Sequence, residues 1–311
     1  MSTIWVYPGQ GAQKVNMLHD LPEHHLVQHY LERACVALQR DVLTLDQPEA
    51  LGSTEAVQLC LYLAGYISSA ILLDAQVQPE YVAGLSIGAW TAAAVAGVFS
   101  FEDGLKLVSL RGRLMQEAYP AGYGMTAIIN ADKSEVSHWV AEVYQKMGNI
   151  YIANFNVANQ IVISGSEMAM QQVVDIAKLK GAMAKKLNVS VPSHCELLNA
   201  QALHLAQAMN PIGLSPAKFK YLSGTSARLI YGVAHIKEDL IFNMCRSIDW
   251  ESTVQAAWER GVRLQIEVLP GSILTGLARK VFKEGSVLSF QTTRTDSLIV
   301  AMQKENAESN S

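Results

Sequence analysis

Residues 81–90 read Tyr-Val-Ala-Gly-Leu-Ser-Ile-Gly-Ala-Trp. A short apolar run meets Gly84-Leu85-Ser86-Ile87-Gly88, and an alanine-rich stretch over 91–98 follows. This order predicts a strand, a tight turn and a helix, the arrangement of a nucleophile elbow. The two glycines let the backbone bend sharply enough to hold a serine hydroxyl out on a strained turn, with the positive end of the helix directly behind it. The glycine and serine spacing is a weak signal alone; the strand before it and the helix after it give it weight. Ser86 is therefore the candidate nucleophile, and the chain is predicted to be an α/β protein.

The chain has 311 residues, half of them hydrophobic, with a formal net charge of −4. Such a length supports a large core plus a subdomain. No basic excess favours non-specific nucleic-acid binding, so an anionic ligand has to be met by a local cluster of positive charge. Residues 1–7 lack the charged region and long apolar core of a secretion signal. The longest apolar run, 59–73, holds two serines and a glycine. It falls short of the roughly 20 residues of a membrane span and reads as a buried helix. Cys35, Cys60, Cys195 and Cys245 are widely scattered, which fits a reducing cytoplasm and neither a disulfide framework nor a zinc site.

Along the chain, 4–7 reads as a first strand, followed by the loop 8–13 and mostly helical sequence to about residue 75. After the elbow, helices run to Tyr119 and a turn at 120–124. Then the rhythm changes. Residues 125–130, 150–156, 160–164 and 184–189 read as strands, with helices over 133–147 and 167–179. This βαββαβ series predicts a ferredoxin-like subdomain at 124–190, inserted in a large α/β-hydrolase-like domain formed by 1–123 and 191–304. Residues 264–268 are an expected core strand of that domain, and the polar tail 305–311 is expected to be disordered.

A serine hydroxyl is a poor nucleophile at neutral pH, so its attack needs a base within hydrogen-bond reach, and histidine has a suitable pKa. Of eight histidines, His19, His24, His25 and His29 crowd a polar helical segment, and His138 and His235 lie in polar surroundings. His204 falls within the helical run Ala-Leu-His-Leu-Ala, which leaves His194 as the candidate. On its own, a His194-Cys195 pair is more often structural than catalytic. A Cys195 nucleophile would compete with Ser86, but adjacent side chains usually point apart from each other. The loop Pro8-Gly9-Gln10-Gly11 lacks the Gly-Lys-Ser/Thr ending of a phosphate loop. Arg111, in Leu110-Arg111-Gly112-Arg113, reads by itself as a solvated helix residue or a surface ion pair.

Five motifs then stand in a telling order. They are Tyr7-Pro8-Gly9-Gln10-Gly11-Ala12-Gln13, the Ser86 elbow, Arg111, Val191-Pro192-Ser193-His194, and Glu267-Val268-Leu269-Pro270-Gly271 with Leu274-Thr275-Gly276-Leu277. Together they resemble the malonyl-CoA:acyl carrier protein transacylase family over nearly the whole chain. Within that family the chain is most similar to the acyltransferase (epsilon) subunit of bacterial malonate decarboxylase. That finer likeness rests on Leu85, where the fatty-acid enzyme usually has histidine, and on the stretches 53–61 and 118–125.

The resemblance implies an acyltransferase in which Ser86 attacks malonyl-CoA with His194 as base, and the amides of Gln10 and Ile87 hold the oxyanion. Arg111 would clamp the free malonyl carboxylate through a two-point contact that lysine reproduces poorly. His194 would then help the phosphopantetheine-type thiol of an acyl carrier protein take the malonyl group, in a ping-pong transfer. Malonyl-CoA is the substrate, and neither a tightly bound cofactor nor a metal is expected. Gln58 and Met115 resemble pocket positions, and Asn154 and Asn156 positions that stabilise active-site loops. One departure stands out. Where the family has a glutamine that orients the histidine, the matching segment reads Arg246-Ser247-Ile248-Asp249-Trp250. Asp249 could orient His194 through its carboxylate or cap the helix beginning at Trp250, and the two are compatible if the side chain caps while the backbone carbonyl holds the histidine. The expected acceptor is the carrier subunit of malonate decarboxylase, with fatty-acid synthesis as the alternative. Two other classes remain open. A serine hydrolase or thioesterase would share the elbow and the histidine but give Arg111 no role, and a non-catalytic carrier-binding subunit would have no need of Ser86.

Overall fold

In the computed structural model, which describes residues 2–119 and 121–309, the chain builds two sheets. Its first part supplies β1 (Ser2–Tyr7), α1 (His25–Leu38), α2 (Thr54–Asp74), β2 (Tyr81–Gly84), α3 (Gly88–Val95) and α4 (Phe101–Ala118). Next come β3 (Tyr123–Ile129), α5 (Lys133–Met147), β4 (Ile150–Val157), β5 (Gln160–Ser166), α6 (Glu167–Leu179) and β6 (Met183–Lys186). The remainder forms α7 (Asn199–Met209), β7 (Lys220–Leu222), β8 (Leu229–Ile230), α8 (Val233–Phe242), β9 (Ile248–Asp249) and α9 (Trp250–Glu259). It closes with β10 (Val262–Glu267), α10 (Ile273–Ala278), β11 (Ser286–Ser289) and α11 (Thr295–Ser309).

The larger sheet has the order β11-β10-β1-β2-β7-β8. Its strands run parallel except for the hairpin partner β8. Helices cover both faces of such a sheet, so its central strands are apolar on both sides, as the buried runs of β1 and β2 are. Helix α2 is long and apolar enough to cross a membrane by length and composition, yet 89% of its most apolar window is buried inside the protein. It packs on α3 and α4. At its start, Ser53 accepts the Ala56 N–H and supplies the cap.

The smaller sheet has the order β6-β3-β5-β4-β9. Its first four strands are antiparallel and, with α5 and α6, form a βαββαβ unit around a core of its own that includes Ile128, Val136, Trp139, Ile163 and Val173. The fifth strand comes from outside residues 124–190. Strand β9 pairs in parallel with β4, Asn154 opposite Ile248 and Phe155 opposite Asp249.

The tail departs from expectation. Its backbone stays helical in α11 through Ser309, and residues 310 and 311 lie outside the described residues. Early in α11, Leu298 and Met302 are buried and the Met302 sulfur accepts the Trp5 indole N–H at 3.4 Å. Burial thus nucleates the helix, and the polar residues after it need only propagate it.

Candidate active site

Two glycines make the elbow possible by close approach. A Cβ on Gly84 would fall 2.0 Å from the carbonyl carbon of Gly88, and one on Gly88 would fall 2.1 Å from the Tyr7 oxygen. Neither site admits a side chain. Between them Ser86 sits at φ 57°, in the left-handed region that costs a non-glycine residue about 1 kcal/mol or more. Ile87 is the N-cap residue of α3, which sets its amide at the positive end of that helix. The loop after β1 lies against the bend, because a Cβ on Gly9 would be 3.4 Å from the Ser86 Cβ. Gln10 therefore stands beside the nucleophile.

Helix α4 carries Arg111 into the same place, fully buried. Its Nη1 donates to Gln58 Oε1 at 2.7 Å, and its Nη2 donates to Asn243 Oδ1 at 3.1 Å and to Ser86 Oγ at 3.4 Å. Gln58 Nε2 in turn donates to Gln10 Oε1 at 3.3 Å and to the Met115 sulfur at 3.4 Å. Arg111 Nε has no partner among the described residues. Neutral amides surround this guanidinium, and burial pulls its pKa down to about 9.

His194 is also buried, at φ 64°. Its backbone N–H donates to the Met244 oxygen at 2.7 Å. Its Nδ1 lies 2.6 Å from the Asn243 carbonyl oxygen. A carbonyl only accepts, so Nδ1 carries the proton and Nε2 is the basic nitrogen. Burial first, and the Arg111 charge second, push the His194 pKa down to about 4, so the ring is neutral at pH 7. Among the described residues no hydrogen bond joins Ser86 Oγ to His194. Both hang on Asn243 instead, whose Nδ2 donates to the Ser86 carbonyl at 2.9 Å.

The histidine-orienting role expected of Asp249 falls to Asn243. The Asp249 side chain accepts the Ser252 N–H at 3.1 Å and caps α9, while its carbonyl takes the Thr253 hydroxyl at 2.7 Å. Sequence reasoning missed Asn243 because a backbone carbonyl leaves no mark in residue type. One signal was available: Asn243 is the C-cap of α8, and carbonyls at a helix end have no partner within the helix. Asn154 lies on β4, buried, with no partner for its Oδ1 among the described residues, and its backbone pairs with Ile248 of β9. Burial pushes the Cys195 thiol up to about 11, and its Sγ donates to the Pro192 oxygen.

A cavity of about 450 Å³ is bordered by Gln10, Gln13, Ser53 and Val57 of the large domain and by Asn188 and Ser190 of the segment leaving the small one; Ser86, Arg111 and His194 are not in its lining. Among the described residues, His24, His25 and Asp74 form a metal-capable trio within 4.8 Å, at the start of α1 and the end of α2, and none of them belongs to this site.

The acyl transferase domain family matches residues 4–310 of the chain. The malonyl CoA-acyl carrier protein transacylase of Haemophilus influenzae is 34% identical over 293 residues, covering 91% of this chain and 93% of that protein. The chain belongs to the malonyl-CoA:acyl carrier protein transacylase family. Its members are acyltransferases. The solved structure of FabD from Acinetobacter baumannii superposes with a TM-score of 0.93 at 32% identity, covering 98% of this chain and 99% of that one. A malonyl-transacylase solved in complex with a type II polyketide-synthase acyl-carrier protein gives 0.90 at 32% identity, covering 98% and 100%. Membership accounts for the two-sheet architecture.

Proposed function

We propose that the chain transfers malonyl from malonyl-CoA to the phosphopantetheine thiol of an acyl carrier protein through a malonyl-Ser86 ester. The observation that carries the reading is Arg111, a buried guanidinium 3.4 Å from Ser86 Oγ with no acidic partner among the described residues. A buried charge of this kind calls for a bound anion, and a malonyl carboxylate supplies one.

His194 Nε2 takes the Ser86 proton as Oγ bonds to the thioester carbonyl carbon. The Gln10 and Ile87 amides receive the oxyanion. Collapse expels the CoA thiolate, which leaves as thiol with the proton from His194. In the second half the carrier thiol gives its proton to His194 and its sulfur attacks the ester carbonyl. The proton then returns to Ser86 as the malonyl thioester departs. Gln58 and Asn243 position Arg111, and the Asn243 carbonyl fixes the His194 tautomer. No step calls for a metal or a redox cofactor, and four free cysteines suit a reducing cytoplasm.

Relatives named as malonyl CoA-acyl carrier protein transacylases support an acyl carrier protein as acceptor, as in fatty-acid synthesis. The carrier subunit of malonate decarboxylase is a second acceptor reading, favoured by Leu85 in the elbow. Intact-protein mass spectrometry decides among the readings. With malonyl-CoA the chain should gain a malonyl adduct, absent from Ser86→Ala, that persists in water and moves to a phosphopantetheinylated carrier. Presenting both carriers ranks the acceptors. An adduct lost to water identifies a hydrolase, and no adduct overturns the donor.

A further inference from the structure

Four of the eight histidines lie between residues 19 and 29, and the serine-histidine chemistry uses none of them. Two of the four meet a carboxylate where α1 begins and α2 ends. His24 is the N-cap residue of α1, His25 opens that helix, and Asp74 is the last residue of α2. The two helices pack together, so folding brings Asp74 to a pair of neighbouring imidazoles. Their ring centroids are 4.5 Å apart, and His24 Nε2 is 3.5 Å from Asp74 Oδ2. One donor atom from each of the three side chains lies within 4.8 Å of the other two. Ligand atoms held about 2.0–2.1 Å from a tetrahedral ion stand about 3.4 Å from one another. The His24–Asp74 pair already has that spacing, and the widest pair has to close by no more than about 1.5 Å. His25 is exposed, so rotation of its side chain can supply this.

We propose that His24, His25 and Asp74 form a binding site for a divalent transition-metal ion of the zinc type, which clasps the start of α1 to the end of α2. Two imidazoles and one carboxylate suit Zn²⁺, Co²⁺, Ni²⁺ and Cu²⁺, whereas Mg²⁺ and Ca²⁺ seek oxygen alone. Asp74 is exposed and borders a cavity of about 290 Å³ with Leu26, Tyr30 and Tyr66, which gives water access to the ion's remaining positions. The positive end of α1 opposes a cation and the negative end of α2 favours one, so the ligands decide. One contact has to be given up. His24 Nδ1 accepts the Leu26 N–H at 3.3 Å, which leaves Nε2 to carry the proton of the neutral ring. Metallation of Nε2 moves that proton to Nδ1 and ends the cap. The site is therefore weaker than a structural zinc site whose histidines donate their other N–H to an acceptor. Asp74 and Gln58 stand near opposite ends of α2, about 24 Å apart along its axis, so the ion is separate from the acyl-transfer machinery. The three ligands converge only in the folded chain, and binding therefore adds to stability.

The test is isothermal titration of the full chain, free of any affinity tag, with Zn²⁺ at neutral pH. One ion per chain should bind with micromolar affinity, and excess Mg²⁺ should not displace it. His25→Gln and Asp74→Asn should each weaken binding at least about 10-fold. His24 is spared in this comparison because its loss also removes the α1 cap. His138→Gln, at an exposed histidine of α5, should leave binding unchanged. Saturating Zn²⁺ should raise the unfolding temperature of the wild type, and the rise should disappear in Asp74→Asn. One-to-one binding that His25→Gln and Asp74→Asn both leave intact places the ion elsewhere on the chain and overturns the proposal. Binding that is absent, or that needs millimolar zinc as isolated surface histidines do, overturns it as well.

Discussion

Arg111 and Arg113 stand two residues apart on α4, yet the first is fully buried and the second is half-exposed, 3.9 Å from Glu55. Two residues turn a helix by about 200°, so they occupy opposite faces, and periodicity alone separates the inner arginine from the outer one. Which inner arginine serves a ligand is a matter of partners. The Gln58 and Asn243 contacts close over 53 and 132 residues of sequence separation, beyond the reach of any local pattern. Arg111→Ala should lower kcat/KM for malonyl-CoA at least about 100-fold, the scale of losing a buried charge-assisted contact, with a smaller loss for acetyl-CoA. Equal losses for the two donors in a coupled CoA-release assay would remove Arg111 from substrate selection. At Asp249, Asn keeps a capping oxygen, so Asp249→Asn should leave the acyl-transfer rate within a few-fold of wild type; a fall of several orders of magnitude would restore the triad that the geometry denies.

At the scale of elements, the elbow was the most legible part of the molecule. Strand, turn and helix are adjacent in sequence, and the glycine positions follow from local crowding that any chain of this shape shares. Gly88→Ala places its Cβ against the Tyr7 oxygen of β1, so the strand or the turn has to shift. Thermal unfolding should show a destabilisation of several kcal/mol, and the remaining folded protein should no longer form the acyl-enzyme. Asp249→Ala removes the α9 cap and should cost about 1 kcal/mol of stability, read as a lower denaturant midpoint with transfer per folded molecule preserved. Strand β9 was not legible. Two residues that pair with a strand 94 residues earlier leave no periodicity, because their hydrogen bonds, and not their side chains, define them. The helical run of α11 was hidden for a related reason, since the contact that anchors it is Met302 on Trp5.

Across the whole molecule, burying His194 ties folding to pH. The folded ring protonates near 4, against an ordinary value of 6.5. Between these values the unfolded chain binds more protons than the folded one. Stability is therefore complete above the ordinary value and falls as pH drops through the window, by about 3 kcal/mol over its full width. Urea midpoints at several pH values across this window should reveal that slope, and His194→Gln should flatten it; an unchanged slope in the variant would place its origin elsewhere.

The sequence by itself determined the α/β class, the strand-turn-helix elbow around Ser86 and the βαββαβ unit, whereas the expected roster Gln10, Ile87, Arg111 and His194 rested on the family resemblance in motif order. These are properties of neighbouring residues and of motif order, carried by periodicity and by what glycine alone permits. Tertiary structure decided how the roster is wired. It gave the histidine a backbone carbonyl from Asn243 instead of the Asp249 carboxylate, and set Arg111 beside Ser86 with no acidic partner among the described residues. It also joined the small sheet to the large domain through β9. Each of these rests on backbone groups or on partners far apart in the chain, and only folding brings such groups within hydrogen-bond reach.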